Sequence, residues 1–408
     1  MTTSASTLSS PLSDPGIVQN PYPTYERLAG TEPVHWWADM GAWAVLRYAD
    51  CKGAFQNPAL SAERMGTVLG VKFPSDHLPD DSIYFRFVNN VMMYTDNPLH
   101  ATLRKAVNAG FSREAHEHYE TAIRAAALEL VDPLGAGPAD IDAVTGLALR
   151  LPTICATRVF GVPLEDIDFV VPRVATIMSY WSGPRQQPIP LAEVLDDLDE
   201  LHDYAVGLVR GERGTVPSGT AISRLMETPP DIPIEQVVHQ LVLVFIALFA
   251  PTTPGSISSG LLSFARNPEQ IAKFRRNPDG AEAAANEIFR YNASNQFTWR
   301  LAKEPTKIGD VQVQAGDVVT LIIGSANHDA AVFDRPHEFV IDRPNSAEGL
   351  TFGVGGHSCL GSRIAHCQVK SLISALLSRF ETIELTGEPV WNPNLEFRSL
   401  RSLPLRFA

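Results

Sequence analysis

Apolar residues along this chain repeat with two periods. From about residue 98 to 290 the period is helical: LHATLRKAVNAGF (99–111), HEHYETAIRAAALELV (116–131) and LAEVLDDLDELHDYAVGLVRG (191–211) set apolar side chains three or four apart. PYPTYERLAG (21–30) opens an earlier helix, and SRIAHCQVKSLISALLSRF (362–380) forms a late one. Between Val34 and Leu46 the period drops to two, which predicts a short hairpin turning near Met40-Gly41. TKIGDVQVQAGDVVTLII (306–323) predicts two strands around a turn at Ala315-Gly316. Residues 1–16 are rich in Ser, Thr and Pro and are expected to form a flexible arm. Neither an internal repeat nor a long linker divides residues 17–408. The pattern predicts one mainly α domain with small peripheral sheets.

One segment interrupts its own pattern. The apolar run Leu241–Ala250 leads into Pro251, then Thr252 and Thr253, then Pro254 and Gly255. Pro251 removes a backbone donor and clashes with the preceding turn, so a buried helix is expected to break there with hydroxyls at the break. Pro254 is expected to disturb it a second time. The run is shorter than the roughly 20 apolar residues that span a bilayer.

Composition narrows the function classes. The chain has 408 residues, 45% of them hydrophobic, enough for a sizeable core. Its formal net charge of −13 argues against nonspecific nucleic-acid binding, which needs Lys and Arg to displace phosphate counterions. MTTSASTLSS lacks a basic stretch followed by an apolar core, so no signal peptide is expected. The cysteines Cys51, Cys155, Cys359 and Cys367 are scattered, without a CxxC, as in a reducing compartment. A cytoplasmic protein with no membrane association is expected.

The candidate chemistry sits in TFGVGGHSCLGSR (351–363). Glycines let a backbone approach something flat and adopt positive φ. A cysteine just before a helix start is biased toward thiolate by the helix dipole. A thiolate in such a loop suits an axial haem ligand. Cys367, Cys51 and Cys155 read as packing cysteines.

On these residues the chain resembles the cytochrome P450 family. Phe352, Gly355, His357, Cys359 and Gly361 match every fixed position of its haem-binding signature. Glu287 and Arg290 resemble its Glu-x-x-Arg helix, with Arg343 at the place of the arginine that locks onto it. His100, Arg104, Arg300 and His357 match contacts to the haem propionates. The resemblance covers roughly residues 18–408. It implies helices packed around haem b (iron-protoporphyrin IX), with Cys359 on the iron and Phe352 and Gly353 in the cofactor site. It also implies a monomer fed by ferredoxin and ferredoxin reductase or an equivalent electron donor.

The family's central helix carries Ala/Gly-Gly-x-acid-Thr, whose acid and threonine pass protons during dioxygen activation. Here Leu248-Phe249-Ala250-Pro251-Thr252-Thr253 keeps the kink and the threonine, and Pro251 replaces the acid. That leaves an ordinary hydroxylase with a tolerated substitution, or chemistry that bypasses the proton relay. APTTPGS, RYNASNQFTWR and NLEFRSLRSLPL resemble the nitrating branch of the family, which uses dioxygen and nitric oxide to nitrate L-tryptophan. A nitric oxide synthase is then an implied partner. Catalytic positions would be Pro251, Thr252 and Thr253.

By the same resemblance, Arg64 and Tyr94 hold the carboxylate of a free amino acid. Asn295 and Thr298 add polar contacts, and Glu396 faces the ammonium. Taken singly, Arg64 reads as a surface arginine beside Glu63, Asn295 as a turn cap and Glu396 as a solvated charge. Together they read as a pocket for a buried zwitterion. Tyr180 and Trp181 fall at the family's mobile lid, where a large aromatic presses on the ring. Nitration of L-tyrosine or a peptidyl tyrosine is the second reading. A conventional monooxygenase acting on a hydrophobic natural product is a third, and a haem protein that only binds gas a fourth.

Overall fold

The structure is a computed structural model that describes residues 10–72, 78, 82–135, 137–182, 189–227 and 232–408. The helices that shape the site are α1 (Tyr22–Thr31), α2 (Leu99–Val107), α3 (Arg113–Val131), α4 (Ile167–Ser182) and α5 (Leu191–Val209). They are followed by α6 (Ile234–Phe249), α7 (Thr252–Arg266), α8 (Ala281–Tyr291) and α9 (Ser362–Arg379). Ser112 starts α3 by accepting from the Ala115 amide. Tyr119, Ile123, Ala126 and Leu130 of α3 make one buried stripe, and α3 packs along α9. A helix with one apolar stripe is amphipathic; α6 is different. Its residues from Val237 to Ile246 are buried all round, between α4 and α5, as befits a core helix.

Together α6 and α7 are long and apolar enough to cross a bilayer, longer than the ten-residue run suggested. Most of that stretch is buried inside the fold instead.

The helical core leans on a five-stranded sheet. Its strands are β1 (Val34–Trp37), β2 (Ala42–Val45), β3 (Leu60–Ser61), β4 (Thr298–Ala302) and, after the pair β5 (Thr306–Ile308) and β6 (Val311–Val313), β7 (Val318–Leu321). The order is β1-β2-β7-β4-β3, with β2 and β7 parallel. The expected hairpin is β1–β2, pairing Val34 with Val45 and Trp37 with Ala42. Gly41 closes its turn at φ 55°.

Three expectations need correction. Residues 306–323 form three strands. β5 and β6 pair around Gly309-Asp310, and the chain then turns at Gly316 (φ 89°). β7 leaves β6 and enters the large sheet between β2 and β4. All four β7 residues, Thr320 included, are buried, as a central strand covered on both faces requires, so no hairpin alternation of buried and exposed positions is present. Residues 10–16 lie within the expected arm, yet they are held. Ser10 N and Ser13 Oγ both donate to Asp39, the Trp37 indole donates to Ser13 Oγ, and Leu12 is 2% exposed. Residues 1–9 lie outside the described ones. Pro254 does not break the helix again. It is the third residue of α7, where a backbone N–H has no intrahelical acceptor to lose.

Candidate active site

A cavity of about 420 Å³ lies where α6 meets α7, bounded by the cysteine loop, α2, β4 and the 394–398 loop. On one side, Cys359 faces it from the loop ahead of α9. The Cys359 amide donates to the Phe352 carbonyl at 2.8 Å, closing the loop. Gly353 (φ 64°, ψ 177°) sits in a region that only glycine enters without strain, and both it and Phe352 line the cavity. Burial pushes the Cys359 thiol above its ordinary pKa. The Gly361 and Ser362 amides and the Arg104 charge pull the other way and lose. The amides at the helix start thus favour the thiolate, as the sequence reading expects, and a metal cation at the sulfur would add to that.

The surrounding donor set fits haem. Among the described residues, no three His, Cys, Asp or Glu side chains cluster as a metal site. A single thiolate suits an iron that brings its own nitrogen ligands. Arg104 and Arg300 line the cavity together with His100 and His357. Arg104 Nη2 donates to the Ser358 carbonyl at 2.8 Å. The two histidine rings lie 3.9 Å apart, and His100 sets its nitrogens 2.8 Å and 3.0 Å from the Met92 and Gly356 carbonyl oxygens. Burial, helped by His100 and Arg300, lowers His357 to about 3. Burial and then Arg64 lower Arg300 to about 9. Buried cationic groups that repel one another are a site for carboxylates to neutralise. His100, Arg104, Arg300 and His357 would hold the propionates, and Cys359 the iron.

Behind this side lies a closed network. Arg290 Nε and Nη2 donate to the two oxygens of Glu287 at 2.7 and 2.8 Å. Arg343 Nε bridges both at 3.1 and 3.2 Å, and the Val340 amide adds 3.0 Å. The remaining guanidinium hydrogens reach the carbonyls of Asn327, Pro336 and Glu338. Glu287, Arg290 and Arg343 are all buried.

The opposite wall is the break. Ala250 is extended (φ −59°, ψ 145°), and its amide is the last to bond back into α6. The Gly255 amide bonds to the Pro251 carbonyl at 2.9 Å and starts α7. Thr252 and Thr253 line the cavity; Pro251 does not, so it acts through the backbone. Ser294 and Ser256 hydroxyls both donate to the Thr252 carbonyl, at 2.6 and 3.0 Å, and pin the break open. Gly255 lets α7 approach: a Cβ there would lie 2.9 Å from that of Ser294.

Polar residues expected to hold an amino acid also converge. Arg64 is 7% exposed, not a surface arginine. Its Nη1 donates to the Ala62 carbonyl at 2.8 Å, its guanidinium lies 4.9 Å from the Tyr94 ring centroid, and its Nε has no partner among the described residues. Burial lowers the Arg64 pKa, opposed by Tyr94 and Glu396. Burial pushes the Tyr94 hydroxyl up to about 12. Asn295 Oδ1 is also buried without a described partner. Thr298 and Glu396 complete the lining. Trp181 lines the cavity, packed on Phe87 and edge-on to Tyr94. Tyr180 is a correction: it is 1% exposed and outside the lining, because it points from another face of α4. Residues 183 and 184 of the expected lid stretch IMSYWSGP lie outside the described residues.

Sequence reasoning missed Ser256, Ser294 and Trp299, which also line the cavity. Only for Ser256 was there a signal, its place one turn beyond Thr252.

The cytochrome P450 family model matches residues 67–406. Cytochrome P450-SU2 of Streptomyces griseolus is 30% identical over 398 residues, covering 96% of this chain and 94% of that one. The putative cytochrome P450 126 of Mycobacterium tuberculosis is also 30% identical, covering 89% and 86%. The crystal structure of P450BioI in complex with hexadec-9Z-enoic acid ligated acyl carrier protein superposes with a TM-score of 0.85 at 26% identity, covering 96% of this chain and 99% of that one. A match of that extent, on a fold that superposes nearly end to end around a lone cavity-facing thiol, shows that this chain belongs to the cytochrome P450 family of haem-thiolate oxidoreductases.

Proposed function

We propose that this protein nitrates the aromatic ring of a free amino acid, L-tryptophan first and L-tyrosine second, using dioxygen and nitric oxide. When bound, haem b supplies the electron-transfer and dioxygen chemistry. Family members generally take their electrons from a ferredoxin and its reductase, and a nitric oxide synthase would supply the second gas.

The observation that carries the reading is the charge pattern of the cavity. Among the described residues, three arginines (Arg64, Arg104, Arg300) and one carboxylate (Glu396) line it. Arg104 and Arg300 answer the two propionates. Arg64 remains for a substrate carboxylate, and Glu396 for an ammonium. A zwitterion with an apolar ring closes that set, whereas a neutral hydrophobic molecule leaves the Arg64 Nε without a described partner. Tyr94 borders the carboxylate end, Asn295 and Thr298 the backbone end, and Trp181 the ring.

The break is compatible with nitration and, taken alone, equally with an ordinary hydroxylase; the resemblance to the nitrating branch tips the reading. Pro251 has no ionisable group, and Glu396 is the one acid among the described lining residues. The neighbouring Ser256 and Ser294 hydroxyls lie within hydrogen-bond distance of the Thr252 carbonyl and of each other. Protons therefore arrive slowly, and a second gas has time to react. The retained Thr252 hydroxyl favours the competing reading, a conventional monooxygenase that draws its protons through water. The test is product identity. With electrons, dioxygen and L-tryptophan, a nitrated amino acid forms only when nitric oxide is present; an acid in place of Pro251 lowers the nitrated yield per electron. Tightly coupled hydroxylation without nitric oxide decides for the monooxygenase.

A further inference from the structure

The Trp299 indole lies in the same cavity wall as Glu396, and its Nε1 donates to Glu396 Oε1 at 3.0 Å. Trp299 has little freedom to do anything else. It is 5% exposed in the middle strand segment of β4, paired opposite Thr320. Its ring stacks on Trp37 at 6.4 Å and 19°, and Phe297 packs edge-on against both. Trp37 is fixed in turn through Ser13 and Asp39. The N-terminal segment thus buttresses the aromatic stack behind the cavity.

The Glu396 backbone is held from the same side. The Gln296 amide donates to the Glu396 carbonyl at 2.8 Å, and the Arg398 amide to the Ser294 carbonyl at 2.8 Å. Asn295 bridges Phe397 between them. Asn394 caps the Phe397 amide and reaches Ser182, the residue after Trp181. The 394–398 loop is therefore a rigid strap, and the indole N–H fixes which way its one carboxylate points.

We infer that Trp299 is a positioning residue for substrate selection: its indole N–H aims the Glu396 carboxylate into the cavity, so that the site selects aromatic ligands bearing a primary ammonium. This rests on the reading of Glu396 as the ammonium's partner. A carboxylate with one oxygen held by a donor keeps the other oriented, and accepts a cation without first losing rotamer freedom. Without the indole donor, that carboxylate loses one of the hydrogen bonds that orient it.

The experiment titrates the haem-loaded ferric protein, following the Soret band, with L-tryptophan and with indole-3-propionate, which lacks the ammonium. Wild type binds L-tryptophan more tightly. Trp299→Phe keeps the stack but loses the donor; it weakens L-tryptophan about tenfold, the size of one charge-assisted hydrogen bond, and leaves indole-3-propionate nearly unchanged. In a Glu396→Gln background the same substitution adds nothing further, because Trp299 acts through the carboxylate. Three results overturn the inference alone while wild type still prefers L-tryptophan. The preference survives Trp299→Phe; or both ligands weaken alike; or Trp299→Phe still weakens L-tryptophan in the Glu396→Gln background. A wild type that does not distinguish the two ligands removes the amino-acid reading and the inference with it.

Discussion

Glu287 and Arg64 are both deeply buried charged residues, the first outside the cavity lining and the second within it, and they are treated in opposite ways. Glu287 is saturated: two arginines and the Val340 amide fill both its oxygens. Arg64 has two backbone carbonyls on one nitrogen and a described partner for none of the hydrogen at Nε. The first region is a finished structural lock, satisfied from within. The second leaves a donor open at the cavity, where the proposed ligand would bind. Unsatisfied buried polar atoms cost free energy, and one that faces a cavity is a place where a ligand can offset that cost. The comparison teaches where this protein spends its stability on function.

Removing a charge from the lock gives the largest expected effect. Glu287→Ala leaves two buried guanidinium groups facing each other and costs roughly 3–5 kcal/mol of stability, read from denaturant or thermal unfolding. A loss comparable to that of a surface substitution breaks the comparison.

Arg64→Leu is the counterpart. It costs less stability than Glu287→Ala, because no buried carboxylate loses a partner. It costs about 2 kcal/mol or more in L-tryptophan affinity, since a charge-assisted pair with the substrate is lost. Titration and unfolding of the same variant separate the two. A large stability loss with unchanged affinity would make Arg64 part of the lock.

The smallest effect sharpens the contrast with a group that no ligand reaches. His239, in α6, is 1% exposed, outside the cavity lining, and neither ring nitrogen has a described partner. Burial lowers its pKa to about 4, helped by His202 and Arg86, with Phe87 packed edge-on. A folded-state pKa below the unfolded value means that the unfolded chain binds the proton more readily. Stability is therefore full above the ordinary histidine pKa of about 6.5 and falls as pH drops toward about 4. His239→Leu flattens that slope, measured as unfolding midpoint against pH. His357, lowered to about 3, leaves a residual slope in the variant.

Half of the lock was legible from spacing, while Arg343, 56 residues from Glu287, came only from the family resemblance. Glu287 and Arg290 are one helical turn apart, and Phe352 to Gly361 spans a single loop. Fixed spacing carries such geometry directly. The break was legible because proline's missing amide acts locally, although Pro254 was misread by ignoring how near it stands to the new helix start. The strap was not legible. Trp299 and Glu396 are 97 residues apart, and only the pairing of the 294–297 and 394–398 segments brings the indole to the carboxylate. Nor did residues 10–16 announce their order, which depends on Asp39 and Trp37 across a hairpin. Long-range pairing is set by burial of whole surfaces, which a local pattern does not encode.

The central claim is that the ligand-completed side binds a free aromatic amino acid, and that its proton-poor break lets nitric oxide compete. The most direct measurement counts nitrated L-tryptophan per electron delivered, with and without nitric oxide, using the haem-loaded enzyme and a ferredoxin pair. The account predicts nitrotryptophan carrying oxygen from dioxygen when nitric oxide is supplied, and in its absence mostly reduced oxygen species with little hydroxylated product. Efficient hydroxylation without nitric oxide, or no nitrated product with it, would contradict the account.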